Sequence, residues 1–385
     1  MSSRLMNILI LSSATGGGHN AAGEAIQEKL LAMGHNAVFL DIFTLSSQRT
    51  ANFVAQAYIR TARNFPRLFG LLYKTGAAVG KFLYRLHIKS PVYLANSLMA
   101  RPLQYYLDIH DFDAIVMPHL FPAETVTYMK RHGMLSIPTI AVATDYTCIP
   151  FWEETGCDYY MIPHEDLTEE FSAHGIPREK LVPCGIPVKS QFTLPKDTEA
   201  ARAKLNLPAD KRIYLIMSGS MGFGSILLFS FELARRCKNG EQIVIICGNN
   251  RKLRHTLKHE FRHNQNVHIV GYTTHVADYM DACDVIYTKP GGLTSTEALV
   301  KHVPIVHTAP IPGCETRNRE FFVSRGMSVA AQHIRTQVAQ GRMLLETEAV
   351  RNGMVCAQQI HARPDAAERI CSLLESLTSP EDLCG

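Results

Sequence analysis

Residues 7–42 read NILILSSATGGGHNAAGEAIQEKLLAMGHNAVFLDI. The apolar segment from Leu5 to Leu11 predicts a buried strand, and a glycine loop follows it. Apolar residues then recur at helical spacing, at Ala22, Ile26, Leu30 and Met33. Gly34 predicts the end of this helix, and a second strand is predicted from Ala37 to Ile42. Such a β-loop-α-β unit predicts a parallel, doubly wound α/β sheet.

The same alternation continues along the chain. Further strands are predicted at 114–117, 138–143, 159–162, 181–184, 213–217, 243–247, 267–270, 285–288 and 304–307. Prolines and a polar run between Ile186 and Leu207 predict a linker. We therefore expect two Rossmann-like domains, 1–194 and 195–344, facing each other across a cleft. Helices at 345–385 are expected to pack near the domain junction.

Composition limits the class of protein. The 385 residues suit two domains, and 46% hydrophobic with 19% charged residues is typical of a folded chain. The longest apolar runs have only the length of a strand, so we expect no signal peptide or transmembrane helix and a cytoplasmic location. The ten cysteines form no C-x-x-C pair, which favours reduced thiols over metal or disulfide sites.

Two candidates for acid–base chemistry follow strands of the first domain. The loop Gly16-Gly17-Gly18 lets the backbone approach a ligand and places His19 at a helix start, where it could accept a proton from an attacking hydroxyl. A tight turn with a capping histidine explains this loop equally well. Asp145 ends another strand and could act as a base or orient one, although an isolated aspartate there is more often an Asx-turn.

Three loops of the second domain suit a nucleotide diphosphate. Residues 218–225 precede a helix but match neither a P-loop nor a G-x-G-x-x-G dinucleotide loop. In the segment 289–298, the amides of Gly291 to Thr294 suit a pyrophosphate and Glu297 suits ribose hydroxyls, although Thr294-x-x-Glu297 also fits a capping box. In the loop 310–318, Glu315 and Asn318 suit sugar hydroxyls unless they are merely solvated.

The sequence contains no cluster with metal-ligand spacing and no Asp-x-Asp pair at a strand end. We therefore expect no metal or other cofactor. Helix dipoles, loop amides and cations such as Lys289 or Arg251 would stabilise a leaving diphosphate instead.

The chain resembles the monogalactosyldiacylglycerol synthase and processive diacylglycerol glucosyltransferase family, and it is more distantly similar to the N-acetylglucosaminyltransferase that makes lipid II. The resemblance runs from about residue 7 to residue 330. It rests on five motifs, at 13–20, 144–145, 247–250, 289–297 and 312–315. Cys314 stands where the family often has a glutamine, so the sugar of the donor, glucose or galactose, stays open. Residues 149–152 differ from the corresponding residues of the plant enzymes, so the identity of the acceptor stays open.

The resemblance implies an inverting GT-B glycosyltransferase that transfers glucose or galactose from a UDP-sugar to diacylglycerol. It implies that His19 is the base or orients the acceptor, and that Gly271 and Tyr272 lie near uracil. Asp145 is the other predicted catalytic residue, and Gly16, Gly17 and Gly18 are predicted to contact acceptor or phosphate. The full predicted donor set is Gly219, Ser220, Asn249, Arg251, Gly271, Tyr272, Lys289, Gly291, Gly292, Leu293, Thr294, Glu297, Glu315 and Asn318.

A basic segment at 49–107 predicts how such an enzyme would reach a lipid. No acidic residue occurs between Asp41 and Asp108, and aromatic residues are interleaved with the basic ones. We expect this segment to face an anionic membrane surface, with the protein bound peripherally to the inner face of the cell membrane. The predicted membrane-facing residues are Arg60, Arg63, Arg67, Lys74, Lys81 and Arg85.

Other functions fit parts of the pattern. A UDP-N-acetylglucosamine 2-epimerase would share the architecture but has no use for the basic segment. A glycosyltransferase with another lipid acceptor and a catalytically silent lipid or nucleotide sensor are also open. Nucleic-acid binding is disfavoured because bulky aliphatic residues lie between the charges.

Overall fold

Two six-stranded sheets, all of whose pairings are parallel, organise the chain. The structure is a computed structural model that describes residues 4–13, 17–47, 49, 88–217 and 226–378. It divides into two compact units. Unit 1 comprises residues 1–190, 312–314 and 363–385, and unit 2 comprises 191–311 and 315–362. The chain passes from unit 1 to unit 2 between residues 190 and 191, within the predicted linker. The predicted C-terminal segment is divided between the units.

Unit 1 is built on the sheet order β2-β1-β3-β4-β5-β6. Strand β1 pairs in register with β2, Leu9 opposite Val38, and with β3, Ile10 opposite Val116. Helices cover the sheet because its strands are apolar on both faces. The strands are β1 Asn7–Ser12, β2 Asn36–Asp41, β3 Ala114–Met117, β4 Thr139–Val142, β5 Tyr159–Ile162 and β6 Leu181–Pro183. The helices are α1 Gly17–Ala32, α2 Pro91–Ser97, α3 Ala100–Asp108, α4 Leu120–Arg131 and α5 Thr168–Ala173.

Unit 2 repeats this design with the sheet order β12-β11-β10-β7-β8-β9. Its strands are β7 Ile213–Met217, β8 Gln242–Ile246, β9 Val267–Val270, β10 Val285–Thr288, β11 Ile305–His307 and β12 Val329–Ala330. The helices that follow α5 are α6 Ser190–Thr193, α7 Thr198–Lys204, α8 Ile226–Arg236, α9 Arg251–Glu260, α10 Val276–Ala282, α11 Gly292–Val300, α12 Cys314–Ser324, α13 Ile334–Glu346 and α14 Glu348–His361. The two-residue strand β12 was not predicted. The other eleven strands follow the predicted order.

The last helix, α15 (Ala366–Thr378), belongs to unit 1. Its residues Ile370, Cys371 and Leu374 are fully buried in the same apolar cluster as β1 and α1. A salt bridge from Lys29 to Glu368 at 3.1 Å and a hydrogen bond between His35 Nε2 and Glu375 at 3.2 Å fasten it to the rest of unit 1. The end of the chain therefore completes a core that begins near its start.

Helix α2, which lies in the described end of the basic segment, is fixed by buried carboxylates. Ser90 caps α2, and its backbone N–H donates to Glu154 at 2.8 Å. Asn96 donates to Glu124 on α4, whose other carboxylate oxygen is buried without a hydrogen-bond partner. Desolvation raises the pKa of Glu124 to about 8, against a lowering contribution from the Asn96 hydrogen bond. Glu124 is therefore mostly protonated at neutral pH.

Replacing Glu124 with glutamine should stabilise unit 1 increasingly as the pH rises. The pKa of Glu124 in the folded protein lies above its value of about 4.3 in the unfolded chain. Ionisation of this carboxyl therefore lowers the free energy of unfolding of the wild type as the pH rises between the two pKa values. We expect a gain of about 1 kcal/mol at pH 5 that grows to a few kcal/mol at pH 8. Urea unfolding at both pH values tests this, with the exposed Glu169→Gln as the control. A gain independent of pH would contradict it.

Cysteine usage agrees with the expectation of reduced thiols. Nine cysteines in the described part of the chain form no disulfide, and six of these are buried. Among the residues that the structure describes, no helix is long and apolar enough to cross a bilayer.

Candidate functional site

The carboxyl ends of β1, β3 and β4 bring three distant residues together in unit 1. His19 is the third residue of α1, which agrees with its predicted place at the start of a helix. Its Nδ1 lies 3.1 Å from the carbonyl oxygen of Pro118 and 2.6 Å from the hydroxyl of Thr144. A carbonyl oxygen can only accept a hydrogen bond, so Nδ1 carries the proton and Nε2 has the free lone pair. This is the tautomer that a general base needs.

Burial keeps this imidazole neutral. Desolvation lowers the pKa of His19 to about 4, and the Pro118 carbonyl opposes the shift only in part. His119 lies beside it, with the two rings in an edge arrangement 4.5 Å apart. Desolvation, and then the proximity of His19, lower the pKa of His119 well below its usual value. The site therefore offers neutral histidines at physiological pH.

His119 also has a structural task. Its Nδ1 accepts the backbone N–H of Phe121 at 3.1 Å and so caps α4. Sequence reasoning missed both His119 and the Pro118 carbonyl, although a histidine two residues after a predicted strand was a usable signal. Asp145 follows Thr144 and is half-buried. Its role as a base, and the acceptor role of Gly17 and Gly18 at the start of α1, stay predictions.

In unit 2, the loops after β10 and β11 meet. The Lys289 ammonium forms a short ion pair with Oε1 of Glu315, and Oε2 of Glu315 accepts the backbone N–H of Ile311 at 2.8 Å. Both charged side chains are largely buried. Asn318 is fully buried and donates to the carbonyl oxygen of Pro290 at 3.1 Å. Glu315 and Asn318 thus brace these loops, and their predicted contacts with a sugar remain predictions.

The loop after β10 leads directly into α11, which begins at Gly292. Gly291 is the N-cap residue and makes no side-chain capping bond. Thr294 therefore lies inside the first turn, and the alternative interpretation of Thr294-x-x-Glu297 as a capping box is wrong. Leu293 and Thr294 are partly buried, and Glu297 is buried one turn further on. The first amides of a helix have no intrahelical acceptor, so those of α11 can donate to an anion at this edge.

The other predicted donor residues follow β8 and β9 at the same edge of the sheet. Asn249 is exposed before Asn250, which caps α9, and Arg251 is the first residue of α9. Gly271 and the exposed Tyr272 follow β9. Arg254 packs against Gly271, where an added Cβ would lie 3.2 Å from its Nε. Sequence reasoning missed Arg254, although its place one turn after Arg251 was visible.

Several predicted residues lie outside the described ones: Gly16, Gly219, Ser220, Arg60, Arg63, Arg67, Lys74, Lys81 and Arg85. Among the described residues, no group of three or more His, Cys, Asp or Glu side chains is placed to hold a metal ion.

Comparison with known proteins matches both units to families. Residues 19–188 match the family model of monogalactosyldiacylglycerol synthase, and residues 213–317 match that of the glycosyltransferase family 28 C-terminal domain. The processive diacylglycerol beta-glucosyltransferase of Staphylococcus saprophyticus is 27% identical over 96% of this chain and 88% of its own. The enzyme of the same name from Bacillus cereus strain B4264 is 27% identical over 89% of this chain and 86% of its own.

Solved structures share the fold at low sequence identity. MurG of Acinetobacter baumannii has a TM-score of 0.61 at 16% identity, covering 96% of this chain and 99% of its own. A putative UDP-N-acetylglucosamine 2-epimerase from Listeria monocytogenes has a TM-score of 0.63 at 13% identity, covering 97% and 96%. Together with the two parallel sheets, these likenesses show the predicted GT-B fold.

Proposed function

We propose that the chain is a member of the monogalactosyldiacylglycerol synthase and processive diacylglycerol glucosyltransferase family, and that it transfers a hexose from a UDP-sugar to diacylglycerol with inversion at the anomeric carbon. The observation that carries the proposal is the neutral His19, held in one tautomer by Pro118 in the unit that matches the family model. The names of the bacterial relatives favour glucose as the sugar.

In the proposed reaction, the lipid hydroxyl gives its proton to Nε2 of His19 as its oxygen attacks the anomeric carbon. A bond forms from that oxygen to the carbon, and the bond from the carbon to the UDP oxygen breaks. The Pro118 carbonyl and the Thr144 hydroxyl hold the Nδ1 proton and thereby stabilise the imidazolium that forms.

The departing UDP takes a negative charge, which the predicted donor loops would stabilise. The amides at the start of α11 point their dipole at an anion. Lys289 has three N–H donors, so it can bind phosphate while its ion pair with Glu315 persists. We propose that these groups make a metal ion unnecessary.

We further propose that the protein binds its lipid as a peripheral membrane protein of the cytoplasmic face. The described end of the basic segment presents large apolar side chains to solvent, with Leu98 77% and Tyr105 71% exposed. Ile88, Leu94 and Ile109 are exposed nearby, and Arg101 is an exposed cation on α3. Apolar side chains beside basic ones suit the boundary between lipid headgroups and acyl chains.

A radiolabel transfer assay tests the function. UDP-glucose and UDP-galactose are offered separately with diacylglycerol in anionic mixed micelles, with and without chelator. We expect label from UDP-glucose in the lipid phase at equal rates in both conditions. Loss of transfer with chelator alone would contradict metal independence. No lipid label from either sugar, together with epimerisation of UDP-N-acetylglucosamine offered in a parallel reaction, would favour the epimerase alternative.

The pH dependence of transfer should carry the signature of His19. Because its pKa lies near 4, the base stays unprotonated above about pH 5, and the rate falls only as the pH drops through about 4. Initial rates from pH 3 to pH 8 measure this, with samples returned to pH 7 to correct for unfolding. An acid limb near pH 6.5 would show that the imidazole is solvated during turnover.

The apolar side chains of α2 and α3 can be tested by vesicle binding. The double variant Leu98→Ser/Tyr105→Ser should bind vesicles of phosphatidylglycerol and phosphatidylcholine at least tenfold more weakly, because each buried apolar side chain contributes about 1–3 kcal/mol. The matched control is Leu5→Ser/Leu31→Ser, which removes two other exposed leucines of unit 1. Equal losses in both double variants would contradict this surface.

A further inference from the structure

Helix α9 of unit 2 has a strongly basic outer face, of which the predicted donor site uses only Arg251. Residues 251–263 carry five Lys or Arg and one Glu, a formal charge of +4, which equals the net charge of the whole chain. The same stretch holds His255, His259 and His263 at helical spacing. All of these charged residues and histidines are exposed. This density of positive charge in residues 251–263 favours a partner that is itself an extended anion.

The inner face of α9 explains why the charges lie outside. Leu257 is fully buried, and Leu253 packs against the same apolar cluster of unit 2, which also contains Phe261. The Lys and Arg side chains, two histidines, Thr256 and Glu260 occupy the remaining positions of the helix. Glu260 is the single acidic residue in this stretch, and its carboxylate lies 3.3 Å from His259 Nδ1. The cationic face is therefore fixed by the packing of the helix.

The neighbouring helix α8 adds an exposed apolar surface to this face. Leu228 is 62% exposed and Phe231 is 40% exposed, three residues apart on the same side of α8. The ring of Phe231 contacts that of Phe261 with 5.0 Å between centroids, which places the two surfaces side by side. Arg235, four residues after Phe231, is exposed as well.

We infer that α8 and α9 form a second surface for the anionic bilayer, located on the donor-binding unit. Basic residues attract anionic headgroups, while Leu228 and Phe231 enter the boundary with the acyl chains. Nucleic acid would use the charges but would leave the exposed leucine without a partner. The choice of a bilayer rests on the proposed function, since a lipid acceptor brings the enzyme to the membrane.

Charge removal tests the electrostatic part. The variant Lys252→Gln/Lys258→Gln/Arg262→Gln leaves Arg251 and Arg254 in place, and its matched control is Arg178→Gln/Arg335→Gln/Arg369→Gln, also exposed. Each cation near an anionic leaflet contributes roughly fivefold to partitioning. We expect the full-length variant to partition at least tenfold more weakly into phosphatidylglycerol vesicles at low salt, and the control within twofold of wild type. Partitioning of both variants within twofold of wild type would overturn the inference.

Insertion of the apolar part is tested by fluorescence. The single tryptophan, Trp152, is buried, so an added tryptophan reports its own surroundings. Brominated phosphatidylglycerol should quench Leu228→Trp, and it should leave Ile360→Trp, exposed on α14, unquenched. No quenching at position 228 would overturn insertion.

An oligouridylate probe tests whether the surface binds nucleic acid, the other extended anion, instead of a bilayer. If the triple variant loses affinity for this RNA while its vesicle binding is unchanged, the surface binds nucleic acid and the inference fails. All three readouts measure binding without turnover. A failure of sugar transfer would therefore refute the proposed function alone, and unchanged partitioning with intact transfer would refute this inference alone.

Discussion

Replacing His19 with alanine is expected to lower kcat for lipid glycosylation by about 10²–10⁴-fold, the usual contribution of a positioned general base. His19→Gln should lose as much, because an amide can replace the hydrogen bond to Pro118 but cannot take up a proton. The measurement is initial-rate transfer from UDP-glucose in mixed micelles at saturating donor.

The controls separate chemistry from folding. UDP affinity should be unchanged in both variants, because the predicted donor residues lie in unit 2 and His19 lies in unit 1. His110→Ala, an exposed histidine of unit 1, should retain wild-type kcat. A kcat within threefold of wild type in His19→Ala would remove His19 from the catalytic role and shift it to Asp145.

Glu315→Gln should produce the second large effect, on unit 2. The change removes the negative charge beside the largely buried Lys289 ammonium, while the amide oxygen can still accept from Ile311. Breaking a buried pair on one side typically costs about 3–5 kcal/mol. We expect a loss of this order in the free energy of unfolding and a donor affinity at least tenfold weaker, measured by denaturant unfolding and UDP-glucose titration.

A matched control lies on the same helix. Glu320 pairs with Arg317 at the exposed face of α12, and Glu320→Gln should cost at most about 0.5 kcal/mol. The double variant Lys289→Gln/Glu315→Gln should recover most of the stability but not the donor affinity, because the cation for the diphosphate is gone. A stable Glu315→Gln that binds UDP-glucose normally would contradict the bracing role.

The sequence predicted the sheets well because buried parallel strands are short apolar runs between loops. It missed β12, because the two residues Val329–Ala330 are too few to show a period. It also could not show that α11 begins at Gly292 rather than at Thr294, since helix ends depend on capping contacts.

The candidate sites were partly predictable. Glycine loops after strands indicate an edge of the sheet, so His19 and the loop at 289–292 were identifiable. The contact of His19 with Pro118 spans 99 residues and follows only from the register of β1 with β3. The burial of Asn318 depends on how α12 packs, which no local pattern encodes.

The return of α15 to unit 1 sets an order of events during synthesis. The chain leaves unit 1 near residue 190, builds most of unit 2, and returns after residue 362. Ile370, Cys371 and Leu374 cannot join the core around Ile8 and Ile26 until they emerge from the ribosome. By then every residue of unit 2 has emerged, so unit 1, whose strands are synthesised before those of unit 2, can complete its core only after the whole of unit 2 has been made.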